Sequence, residues 1–130
     1  MKSIRLTALF CLVFFALQAQ TLPTKTEVLN TLKKVNNAWM ASHPQTATTH
    51  SAVEWLEGAY FTGHMALFET FPQKENINHA YDWGFYNTWN LGTRKEADNQ
   101  CVGQAYMDIF VANGSKENAI LDKFIPVFRA

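Results

Sequence analysis

The chain has 130 residues, enough for one modest core, and its 48% hydrophobic and 17% charged content belongs to globular rather than disordered proteins. Eleven basic and eleven acidic side chains cancel, so no global field steers it toward nucleic acid or an anionic membrane surface. Four Trp, four Tyr and ten Phe supply faces that can fill a core or stack on sugar rings, and spacing alone does not choose between those uses.

The first residues read as an export signal. Lys2 and Arg5 give a positive start, Leu6 to Leu17 is almost wholly apolar, and Ala19 is a small residue ahead of a cleavage point. The apolar stretch is shorter than the roughly 20 residues of a spanning helix, which favours export with cleavage after residue 19 over a membrane anchor. The expected domains are therefore residues 1–19 as signal peptide and 20–130 as one secreted or periplasmic folded unit, with no membrane attachment after cleavage. Cys11 lies within the signal, so Cys101 alone remains and no internal disulfide can form. A single Cys in a helical pattern reads as a small buried hydrophobe.

Beyond Pro23, a natural helix entry, Val28, Leu32, Val35 and Trp39 recur at helical spacing, and the helix should stop near His43-Pro44 because proline pushes its predecessor out of the helical region. Gln45 to His50 reads as a connection. Ser51 with Glu54 has the pattern of a capping box for a second helix, in which Leu56, Tyr60, Gly63 and Leu67 would form one face, widened by Trp55, Ala59 and Phe68, up to Phe71-Pro72. A third helix is expected over Glu75 to Trp89, with a stop at Leu91-Gly92, and Thr93 to Glu96 is a charged link. Val102, Ala105, Tyr106, Ile109 and Phe110 mark a fourth helix over Asn99 to Ala112, ended by Asn113-Gly114. Ser115 would cap a fifth, built on Ile120, Leu121 and Phe124 and interrupted at Pro126. No segment alternates long enough to form a sheet, so the fold class is all-α.

Several chemistries find no footing in this pattern. His43, His50, His64 and His79 lack a metal-ligand spacing, and there is neither a phosphate-binding glycine loop nor a nucleophile elbow. No cofactor is expected. Asp98 stands at a helix start, where it can either cap free amides or face a cavity and bond a ligand hydroxyl. Trp55 and Tyr60 divide in the same way between core packing and sugar stacking.

The runs Trp55-Leu56-Glu57-Gly58-Ala59-Tyr60-Phe61-Thr62-Gly63-His64-Met65-Ala66-Leu67, Tyr81-Asp82-Trp83, Trp89-Asn90-Leu91-Gly92 and Ala97-Asp98-Asn99-Gln100-Cys101-Val102-Gly103-Gln104-Ala105-Tyr106 together resemble the N-terminal part of family 88 and family 105 glycoside hydrolases. The resemblance implies an (α/α)6 barrel of twelve helices, of which this chain would supply about five. It also implies hydrolysis of an unsaturated glucuronyl or rhamnogalacturonyl residue at the non-reducing end of an oligosaccharide, begun by hydration of the enol-ether double bond. By the same comparison Asp98 matches an active-site Asp that bonds the substrate near the reacting carbons, and Trp55 and Tyr60 would line the sugar subsite. The principal acid/base Asp belongs to a later helix, so residues 1–130 are expected to be an inactive fragment. Asn99 and Glu57 depart from the family pattern, which often has a second Asp and a Gln or Arg at those positions.

The competing expectation is a stand-alone helical module binding a glycan or a protein partner, against which the helix pairs show no fixed repeat. A secreted structural subunit without ligand is a third.

Overall fold

The structure, a computed structural model, describes residues 22–91, 97–116 and 118–129. The expected signal peptide and the charged link from Thr93 to Glu96 lie outside the described residues. Five helices follow one another: α1 (Lys25–Ser42), α2 (Trp55–Thr70), α3 (Lys74–Tyr86), α4 (Ala97–Ala112) and α5 (Asn118–Arg129). No strand occurs among the described residues, in agreement with the all-α expectation. No described helix is long and apolar enough to cross a membrane.

The chain divides into two compact units, residues 1–31 and 32–130, with α1 beginning in the first and continuing in the second. In the first unit, Thr24 and Glu27 close a reciprocal cap on α1. The Thr24 hydroxyl accepts from the Glu27 amide at 3.2 Å, and Glu27 Oε2 accepts from the Thr24 amide at 2.8 Å. These bonds satisfy donors that a helix start leaves open, and they hold the Glu27 carboxyl below its usual range.

In the second unit the core is Phe61 and Met65 of α2, Ala80 and Trp83 of α3, Trp89, Val102, Ala105, Tyr106, Ile109 and Phe110 of α4, and Ile120 of α5. Gly58 sets the approach of α2 to α4, because a Cβ there would meet the Val102 amide nitrogen at 2.8 Å. Further along, burial raises the Asp108 carboxyl, the Gln104 amide that donates to it lowers it in part, and the charge of Glu69 on α2 adds to the rise, so Glu69 lies within electrostatic range of α4. The close approach of 58 to 101–102, with Glu69 within charge range of Asp108, means that α2 and α4 run in the same direction and begin at one end.

Several sequence expectations need correction. Ser51 does not cap α2: its amide donates to Gln45 Oε1 and its hydroxyl accepts from Gln45 Nε2, so it is spent on the preceding loop, and the cap position falls to Glu54 without a side-chain bond. The buried face of α2 is Gly58, Phe61, His64, Met65 and Leu67, whereas Gly63 looks into open space and Trp55 and Leu56 are exposed. A helix apolar on most of its circumference has no sequence-encoded inner side, and packing against α3 and α4 selects one. In α1, Leu32 and Val35 are exposed and the buried residue is Asn36.

Helix α3 stops at Tyr86, earlier than expected. Thr88 and Trp89 both take left-handed φ, 53° and 55°, and the Trp89 amide reaches back to the Gly84 carbonyl at 2.9 Å while the Thr88 amide reaches Phe85 at 2.9 Å. This paired turn satisfies the last carbonyls and folds the Trp89 indole onto Gly84. The same turn closes α4 with Gly114 at φ 68°, as Asn113-Gly114 led one to expect. Ser115 belongs to that turn, with φ 59°, and therefore does not cap α5, which starts at Asn118 and continues helically through Pro126 to Arg129.

Candidate active site

The common starting end of α2 and α4 gathers most of the residues singled out above. Trp55 is the first residue of α2 and is 57% exposed, so its indole is free to meet a ligand. Asp98 is the second residue of α4, one turn ahead of the Cys101–Val102 backbone that lies against Gly58. The Asp98 side chain lies outside the described residues. Asn87, just past α3, returns to this end by donating to the Ser51 carbonyl at 2.9 Å and to the Trp83 carbonyl at 2.8 Å. Helix starts carry free amides and the positive end of the dipole, so two parallel helices beginning together favour anionic or hydroxyl-rich ligands at that end.

Tyr60 stands further along α2 and is half-buried. Its ring stacks on Trp39 with centroids 4.6 Å apart, and Trp39 in turn stacks on His43 at 4.0 Å. The Tyr60 hydroxyl donates to Asn36 Oδ1 at 3.0 Å, and burial pushes the phenol up from its ordinary value. The structure thus places Trp55 and the Asp98 backbone at one end, while Tyr60 joins a second cluster between α1, α2 and α3.

That second cluster was not anticipated from sequence. Asn36 Nδ2 donates to Asn76 Oδ1 at 3.2 Å, His64 Nδ1 lies 2.6 Å from Asn36 Oδ1, and His64 Nε2 lies 2.8 Å from the Asn76 carbonyl. All three side chains are buried, and polar groups persist in such places because they satisfy one another. The signal was a polar residue falling on an apolar arc: Asn36 beside Val35, and His64 three residues after Phe61 and three before Leu67. One polar atom near the first cluster is also unmatched, since Glu57 Oε2 is buried without a hydrogen-bond partner among the described residues. No group of three or more His, Cys, Asp or Glu among the described residues could hold a metal ion.

Cys101, expected as a small buried hydrophobe, is half-buried, with Sγ 4.0 Å from the Thr62 hydroxyl. Residues 31–123, more than half of the chain, match Glycosyl Hydrolase Family 88. The chain belongs to that family. Comparison with curated proteins and with solved structures returns no significant match. For a family 88 chain the helical architecture fits part of a helical barrel, and glycoside hydrolysis makes a carbohydrate the substrate class.

Proposed function

We propose that this chain forms the opening part of a secreted family 88 hydrolase that removes an unsaturated uronic acid from the non-reducing end of an oligosaccharide. The observation that carries the proposal is the parallel start of α2 and α4, locked by Gly58 against the Cys101–Val102 backbone, which sets Trp55 and Asp98 at one end. Asp98 is the group that bonds the sugar beside the double bond. Trp55 offers an exposed face for the ring, and Tyr60, ordered by Asn36 and Trp39, supports the subsite from behind.

The reaction is a hydration. A carboxylic acid gives its proton to the enol-ether double bond, water adds to the cation so formed, and the proton lost by that water returns to the carboxylate. Sugar and aglycone then separate as the hydrated ring rearranges. The proton-donating Asp is supplied by a later helix, so residues 1–130 alone bind sugar but do not turn it over.

The test is the ultraviolet absorbance of the conjugated double bond, followed with unsaturated disaccharides on a protein that includes the downstream helices. Asp98→Asn is expected to lower kcat/KM by at least about a hundredfold, the size of effect typical for a positioned carboxyl in acid–base chemistry. Unchanged turnover in Asp98→Asn, or activity of residues 1–130 alone, would overturn the assignment.

A further inference from the structure

Two histidines meet where α1, α2 and α3 join, His64 in α2 and His79 in α3, and a third, His43 just after α1, is near enough for its charge to act on His79. The rings of His64 and His79 lie 5.7 Å apart, centroid to centroid. Their nitrogens are treated differently. Both nitrogens of His64 face oxygens, Asn36 Oδ1 at 2.6 Å and the Asn76 carbonyl at 2.8 Å. A carbonyl only accepts, so Nε2 carries hydrogen, and a further proton on Nδ1 would find Asn36 Oδ1 as its acceptor.

His79 has no such provision. Its Nε2 is buried without a hydrogen-bond partner among the described residues, and the ring is bounded by Phe61 at 5.6 Å, His64 at 5.7 Å and the edge of Tyr60 at 6.5 Å. The charged groups that act on it are His64 and His43, both of like sign once protonated. The carboxylates of the packed helices, Glu57 and Glu69 on α2 and Glu75 and Asp82 on α3, are not among them. From Leu32 onward α1 brings only Lys33 and Lys34 as further charges. Tyr60 is a phenol that burial holds neutral.

We propose that this junction is an acid-operated latch, in which neutral His79 keeps residues 32–43 closed on α2 and α3 and its protonation releases them. The closing contacts are those of Asn36 with Asn76 and His64, and of Trp39 with Tyr60. His64 and Tyr60, the α2 partners in those contacts, are the rings that face His79, whose Nε2 has no acceptor among the described residues.

Burial pushes His79 down to about 4, and His64 and His43 add to the shift. Burial also lowers His64, offset in part by its bond to Asn76. The folded value of His79 lies below that of an open chain, about 6.5, so the open form takes up the proton first. The latch is therefore fully closed above about pH 6.5 and gives way as pH falls toward 4. Within that window, one proton taken up on opening shifts the equilibrium about tenfold per pH unit.

The experiment is amide hydrogen exchange of the whole chain by NMR between pH 7 and 4, corrected for intrinsic rates, with the His79 ring resonances followed in the same samples. Amides of residues 36–42 are expected to lose protection about tenfold per pH unit for the His79 proton while those of Val102 to Ile109 hold, and His79→Phe should remove that share and leave only the part that His64 contributes. A His79 ring that titrates near its ordinary value while residues 36–42 stay protected would overturn the proposal. So would an equal acid loss in His79→Phe, or simultaneous opening of α1 and α4. Should His79→Phe fail to fold, the ring titration of the unmodified chain decides alone.

Discussion

At the scale of single residues the turn after α3 is the most constrained point in the chain. Thr88 is β-branched and exposed yet holds φ 53°, and the next residue, Trp89, holds φ 55°. Left-handed backbone costs an L-residue roughly 1–2 kcal/mol, while Gly pays only its own chain entropy there. Thr88→Gly is therefore expected to stabilise by up to about 1 kcal/mol in urea unfolding. Gly84→Ala should act in the opposite sense, because a Cβ there runs into the six-membered ring of the Trp89 indole. A loss of about 1–3 kcal/mol is expected, as for other overpacked cores, and equal stability of the two variants would show that Trp89 does not sit on α3. Little of this was legible beforehand. Gly114 announces a left-handed turn by its identity, but Thr88 does not, so α3 was expected to run on to Trp89.

Among the elements, the pair α2 and α4 determines where the candidate site lies. Gly58→Ala would press a methyl against the Val102 amide and the Cys101 backbone, which cannot swing away as a side-chain tip could. We expect a destabilisation of about 1–3 kcal/mol in urea melts, together with weaker sugar binding, because the two helix starts separate. A variant with unaltered stability would contradict the close approach of these helices. The ends of α1 and α2 were readable from Pro44 and Pro72, and that of α4 from Asn113-Gly114. The direction in which α2 buries itself was not, since an almost wholly apolar helix carries no preferred side. Nor could periodicity reveal the Asn36–His64–Asn76 bonds, which join positions 12 to 40 residues apart. Trp55, Tyr60 and Asp98 stood out in the sequence as either packing or ligand residues, and only family resemblance chose the second use. What the structure adds is their placement: two at the shared helix start, and one whose hydroxyl is already engaged by Asn36.

Taken as a whole, the second unit is built around an aromatic centre, while apolar side chains of α1 remain on the surface. Val35 is 63% exposed and Leu32 is 50% exposed. Replacing an exposed side chain changes stability little, so Val35→Ser should leave the thermal midpoint of residues 1–130 within the equivalent of about 0.5 kcal/mol. A larger loss would show that Val35 is covered in solution. The centre itself has a further consequence. Trp83 lies flat on Phe61 at 4.1 Å, Tyr106 leans against it at 4.9 Å, and Trp89 meets Tyr106 edge-on at 5.2 Å. Four chromophores fixed at unequal tilts form a handed array whose transitions couple. Near-ultraviolet circular dichroism should therefore report the closing of α2, α3 and α4 on one another separately from backbone helicity, and distinguish the packed molecule from a collapsed one with the same helices.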